Sequence, residues 1–87
     1  MTYRVRFRTS AERSLAKAPA AARRRLVGAV ELLAIDPRPP GAVLLRGGER
    51  GRWCVRVGDY RVVYAIDDGE LVVLVVRVAH RREVYRR

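Results

Sequence analysis

The sequence holds one cysteine, one lysine, one histidine and few acidic residues, and each scarcity excludes something. A lone Cys54 rules out an internal disulfide and any clustered-thiol metal site. The longest purely apolar run, LVVLVV at residues 71–76, is far too short to span a bilayer, so no membrane role is expected. The opening MTYRVRFRTS alternates and lacks the apolar block of a secretion signal. A reducing cytoplasm is the expected compartment. Nine acidic residues face 19 basic ones, a formal charge of +10. That balance points to a polyanion, RNA or DNA, or to an acidic protein that neutralises the chain.

The scarcity of lysine has a counterpart: 18 of the 19 basic residues are arginine. Either the planar guanidinium is wanted for phosphate, or coding bias has filled a chain also rich in Ala, Val, Gly and Pro. Residues 1–36 and residues 37–87 each carry +5, so the charge is not confined to a tail. At 87 residues the chain is one domain, 1–87, near the size at which a single core is only just sufficient.

TYRVRFR alternates apolar and basic residues and predicts a half-buried strand. Thr9 or Ser10 is the expected cap of a short helix that stops before Pro19, with Glu12 in its first turn. Pro19 suits the first turn of a second helix running to about Ala34, with Ala22, Leu26, Ala29, Val30 and Leu33 on one stripe. Arg23, Arg24 and Arg25 are consecutive, so they fan over an arc rather than face one ligand. DPRPPG, residues 36–41, is a helix stop and loop. AVLLR, RWCVRV, YRVVYAI and LVVLVVRV then read as strands, with the dipeptides GD and DG as hairpin loops. The expected fold is α+β: two N-terminal helices on one face of a twisted, mainly antiparallel sheet of about four strands, with a short C-terminal segment.

A two-residue loop at Gly58-Asp59 fixes a register. It pairs Val57 with Tyr60, Arg56 with Arg61, Val55 with Val62, Cys54 with Val63 and Trp53 with Tyr64. Alternation then puts Trp53, Val55, Val57, Tyr60, Val62 and Tyr64 on a core face, as packing residues. It sets Arg56 against Arg61 on the other face, a like-charge pair that costs about 0.2–1 kcal/mol. Either an anion belongs between them or both splay into water. An equally short loop at Asp68-Gly69 pairs Arg61 with Val76 and leaves Val63, Val72, Leu74, Val76 and Val78 opposite the core. It also delivers Ala79, His80 and Arg81 past the strand end, beside the Gly58-Asp59 turn.

GDYRVVY, residues 58–64, and HRREVY, residues 80–85, at this spacing after two helices, resemble the RelE/ParE toxin superfamily, specifically its RelE-like branch. The resemblance covers nearly the whole chain. It implies a type II toxin: a ribosome-dependent endoribonuclease that cleaves mRNA by 2′-hydroxyl attack, without metal or other cofactor. The implied partners are a cognate antitoxin, the ribosome and mRNA, and operator DNA only as the toxin–antitoxin complex. By the same resemblance Arg61 and Arg81 look like scissile-phosphate contacts, and Tyr85 matches a C-terminal tyrosine that orients the cleaved nucleotide. Arg56 replaces a lysine, and His80 stands where members carry lysine or histidine. Cys54 departs from a position that is usually basic.

The chemistry asks for a group to take the 2′-proton, another to protonate the leaving 5′-oxygen, and positive charge for the transition state. Arginine supplies the last and is a poor proton shuttle. His80 is the one residue here whose type suits both proton jobs at neutral pH, with Tyr85 as the other candidate. The expected catalytic set is therefore Arg61, Arg81, Tyr85, His80 and Arg56. Arg46, Arg50 and Arg52 around the glycine loop, with Arg82, are the expected grips on RNA phosphates. Two other functions compete: a ParE-like non-nuclease that poisons a DNA topoisomerase, and a nuclease-weak homologue acting in an antitoxin-bound operator complex. A bare, solvated tail is the competing reading of HRREVYRR.

Overall fold

The computed structural model describes residues 2–47 and 50–84. Strand β1 (Arg4–Phe7) leads into helices α1 (Thr9–Lys17) and α2 (Ala20–Ile35). Strands β2 (Val43–Leu44), β3 (Trp53–Val57), β4 (Tyr60–Asp67) and β5 (Val72–His80) follow, and a single helical turn, α3 (Arg81–Val84), closes the described chain. The sheet has five strands in the order β1-β5-β4-β3-β2. It is antiparallel except at β1, which pairs in parallel with β5, Val5 beside Val73 and Phe7 beside Val75. Two helices on one face of a mainly antiparallel sheet agree with the expectation; the fifth strand is β1, whose partner lies at the other end of the sequence.

Helix α1 starts one residue earlier than a threonine cap would place it. Arg8 is the extended N-cap residue, its side chain makes no capping bond, and its carbonyl accepts from the Glu12 amide at 3.0 Å. Ala18 ends that helix in an extended conformation, as a residue before proline must. Pro19 sits at the N-cap of α2 rather than inside its first turn, and Arg23 N–H closes the turn onto the Pro19 carbonyl at 2.8 Å.

One core lies between helices and sheet. Ala11 of α1, Ala18 at its C-cap, and Leu26, Val30 and Leu33 of α2 meet Val62, Tyr64, Val73, Val75 and Val78. Trp53, Val55, Val57 and Tyr60 pack against it as anticipated. The first hairpin has the expected register at all five pairs. The second does not. Asp67 pairs with Val72, so the loop spans four residues, closed by the Glu70 amide donating to Asp67 Oδ1 at 2.9 Å and by Leu71 at φ 56°. A bulge opposite Val63 and Tyr64 adds one more residue on β5. Together they shift the partner of Arg61 from Val76 to Ala79 and turn Val78 into the core, opposite Val62. Ala79 and His80 lie within β5, not past its end.

Tyr64 is fully buried, and its hydroxyl donates to the Pro37 carbonyl at 2.7 Å, tying the α2–β2 loop to the central strand. Burial pushes its phenol up to about 12. The neutral form is favoured in the fold. That stability is therefore complete below the unfolded value of 10.0 and is lost as pH rises towards 12. Tyr64→Phe orphans the buried Pro37 carbonyl at a cost of about 1–3 kcal/mol. Thermal unfolding should show a lower Tm at neutral pH and a smaller further loss above pH 10 than the parent shows.

Candidate functional site

The turn that fixes the site is Gly58-Asp59. Gly58 has φ 60°, which glycine adopts without strain and which suits the first position of a two-residue hairpin loop. It sets Arg56 of β3 opposite Arg61 of β4 on the sheet face away from the helices. Arg61 is half-buried and Arg56 exposed. On its other side Arg61 is paired with the methyl-sized Ala79 of β5. Room is left above Arg61 where a larger neighbour would crowd it.

The bulge adds a third arginine to that face. Arg77 pairs with Val63, so it stands diagonal to Arg61 on the same side. Sequence reasoning passed over Arg77 because VVLVVRVA is apolar at almost every position and shows no alternation from which a bulge could be read. The pairing of β1 extends the face further, with Arg4 beside Val72 and Arg6 beside Leu74. Five arginines thus share one side of the sheet. Between them Cys54, Val63 and Val76 are nearly inaccessible although the helices lie on the other side. Cys54 is seated between Val43 and Val63 and is a buried thiol outside any disulfide.

The same bulge moves His80 the other way. It pairs with Tyr60 on the helix side, its ring edge-on to the tyrosine at 5.0 Å and 88°. With Ser14, Lys17, Ala18 and Val78 these two rings line an open hollow of about 220 Å³. His80 Nδ1 accepts the Arg82 amide at 3.1 Å, so the imidazole caps the start of α3. Arg81 begins that turn. Its amide donates to the Asp59 carbonyl at 2.7 Å, and its guanidinium lies 3.9 Å from the Asp59 carboxylate. Both side chains are largely exposed, so the ion pair leaves Arg81 available to an anion.

Arg25 reaches the same turn from α2. A Cβ on Gly58 would sit 3.5 Å from its Nη1. Its neighbour Arg23 turns instead to the Ala18 carbonyl at 3.2 Å, so the three consecutive arginines fan apart as helical spacing requires. The Gly58-Asp59 end therefore gathers Arg25, Arg56, Arg61, Arg81 and Arg82.

Arg46, Arg50 and Arg52 form a separate group at the other end of β3. Their loop is closed by Leu45 N–H to the Arg52 carbonyl at 2.8 Å and by Arg50 N–H to the Gly47 carbonyl at 3.1 Å. Arg52 and Arg56 are four residue steps apart along extended chain, roughly 13 Å. Arg38, at that end too, is committed elsewhere: it grips Asp68 at 2.9 Å and 3.3 Å and lies over the Trp53 ring at 5.6 Å. Arg38, with the Tyr3 hydroxyl at 2.6 Å, holds the Asp68 carboxyl below its ordinary range. Tyr85 lies outside the described residues. Among the described residues no three His, Cys, Asp or Glu side chains converge as a metal site needs, and no helix is long and apolar enough to cross a membrane.

The geometry gives two phosphate-competent clusters along one sheet and a hollow with an imidazole at its turn end. The fold and the sequence are similar to those of known proteins. The profile of the family described as ParE toxin of type II toxin-antitoxin system, parDE, matches residues 5–85. The toxin RelG of Mycobacterium tuberculosis is 41% identical over 91 residues, covering all of both chains. The toxin–antitoxin complex RelBE2 of the same organism is similar at TM-score 0.83 and 36% identity, over 93% of this chain and 100% of that one. The archaeal RelE–RelB complex of Pyrococcus horikoshii is similar at TM-score 0.81 and 29% identity, over 93% and 97%.

Proposed function

The chain belongs to the ParE toxin family of type II toxin–antitoxin systems, within the RelE/ParE superfamily, and we propose that it is a ribosome-dependent endoribonuclease that cuts mRNA. The observation that carries the reading is Arg61, held half-buried against Arg56 with Arg81 tied to the adjoining turn. Three arginines at one end of the sheet suit a phosphate whose charge grows as the 2′-oxygen attacks. Arg61 is the central grip, with Arg56 and Arg81 on its flanks. Tyr85 follows α3 in sequence and is assigned to the cleaved nucleotide. His80 caps α3 and so sets the position of Arg81. The sequence makes it a proton carrier, but it faces the helices, on the other side of the sheet from Arg61, so the proton role is assigned to Tyr85. Arg46, Arg50, Arg52 and Arg82 bind flanking phosphates, and no metal is required.

A cognate antitoxin is the natural counterpart of this charge. An acidic, amphipathic segment laid on the arginine face would neutralise Arg56 and Arg61 together. The pair then binds operator DNA as a complex. The cytoplasm, where ribosomes and mRNA meet, is the place of action.

The test is single-turnover cleavage of one mRNA, free and on ribosomes, with the purified chain. Cleavage is expected on ribosomes and barely at all in free RNA, because the sheet face is open and cannot by itself hold a flexible strand in line for attack. Equal rates on both would remove the ribosome from the proposal. The family's ParE name keeps a second reading in view, the poisoning of a DNA topoisomerase. Pulse-labelling after induction separates them: protein synthesis should fail before DNA synthesis.

A further inference from the structure

The chain uses arginine at 18 of its 19 basic positions, yet its one lysine and its one histidine line the same hollow. The last turn of α1 supplies Ser14 and Lys17, β4 supplies Tyr60, and β5 supplies Val78 and His80, around the open space of about 220 Å³. A cation in the last turn of a helix suits the helix dipole, but arginine would serve there as well, so the dipole does not account for lysine. An ammonium differs in being a compact point charge with three donors, which fits a narrow space better than a guanidinium fork. Every polar group of the hollow can donate. His80 Nδ1 accepts the Arg82 amide, so the neutral ring holds its proton on Nε2. Ser14 and Tyr60 bring hydroxyls and Lys17 its ammonium, and among the described residues these three have no hydrogen-bond or ion-pair partner. No carboxylate lines the hollow among the described residues.

We propose that this hollow holds a backbone phosphate of the RNA strand, further along from the phosphate gripped at Arg61. The proposal rests on the nuclease reading and extends its site to the helix side of the sheet. Arg61 lies on the face away from the helices, the hollow lies on the face towards them, and Arg81 stands at the turn between, one residue after His80. A strand held at Arg61 and carried past Arg81 over the end of the sheet reaches Lys17 without leaving basic surface. RNA fits this path better than an acidic protein segment does. It carries a phosphate at every nucleotide and so meets the cations in turn, whereas a peptide needs acidic side chains spaced to match. The contact gives affinity and sets the direction of the strand; it takes no part in breaking the bond.

Two measurements on the full chain decide. His80 is the only histidine, so its imidazole Cε1–H gives a single proton resonance that reports on the hollow. A short 2′-O-methyl RNA, which lacks the attacking hydroxyl, should move that resonance to saturation. Lys17→Gln should weaken this binding roughly tenfold, and Tyr60→Phe less. Inorganic phosphate and an acidic peptide of equal charge should need far higher concentrations. In single-turnover cleavage on ribosomes, Lys17→Gln should raise the protein concentration that gives half the maximal rate and leave the maximal rate unchanged, as loss of a contact equal in ground and transition states does. A resonance that stays still, or that moves as readily in Lys17→Gln, overturns the proposal. So does an equal response to phosphate or to the peptide. A parent that cuts no RNA, yet shows the Lys17-dependent shift, would remove the nuclease reading and leave the hollow as a nucleic-acid site.

Discussion

Arg61→Ala should slow mRNA cleavage on ribosomes by about 10²–10³-fold, the loss typical of one preorganised charged contact to a transition state. The variant should nonetheless fold as well as the parent or slightly better. Arg61 faces Arg56 across the ladder, and removing one of two like charges relieves about 0.2–1 kcal/mol of repulsion. Among the described residues its side chain makes no hydrogen bond to the core. Activity and stability thus move in opposite directions, a pattern that a merely structural arginine cannot produce. Arg61→Lys should fall between, since it keeps the charge and loses the planar fork. Single-turnover rates beside thermal unfolding of the same preparations give both quantities. Cleavage at the parent rate would take Arg61 out of the site.

The largest loss of stability is expected from Leu26→Ala. Leu26 is 1% exposed and joins α2 to Val62, Tyr64 and Val73 in the single core. Deleting its side chain leaves a cavity that the flanking helix and sheet close only in part, costing about 2–5 kcal/mol. For a domain of this size that corresponds to a Tm lower by roughly 10–30 °C. Leu32→Ala, six residues along the same helix but 65% exposed, should change stability by less than about 0.5 kcal/mol. Thermal unfolding followed by circular dichroism compares the two directly. Similar losses would mean that α2 packs on the sheet by a different face.

These residues also mark how far the sequence could be read. The Arg56–Arg61 pair was legible because Gly58-Asp59 is a two-residue loop between alternating strands, and such a loop leaves one register open. Asp68-Gly69 offers the same signal and misleads. There the Asp67 carboxylate takes the Glu70 amide, Leu71 accepts a left-handed backbone, and two further residues join the loop. The bulge was invisible for a different reason. In a strand that is apolar on both faces, slipping by one residue changes no hydrophobic pattern, so nothing in VVLVVRVAH says whether Arg77 or His80 shares the face of Arg61. Arg25 was hidden by its company, since three consecutive arginines on a helix point three ways and only packing selects the one that reaches Gly58.

The sheet order has a consequence for how the molecule comes into being. Strand β5 lies between β1 and β4, yet it is the last strand made. As the chain leaves the ribosome, β1 and both helices wait for Val73 and Val75, which complete their core and arrive some seventy residues after β1 begins. Pairings this distant in sequence form slowly. The same stretch brings Ala79 beside Arg61 and carries Arg81 to the Asp59 turn. Core and arginine site are therefore completed together, and a nascent chain stopped before β5 would hold neither a stable fold nor an assembled phosphate grip.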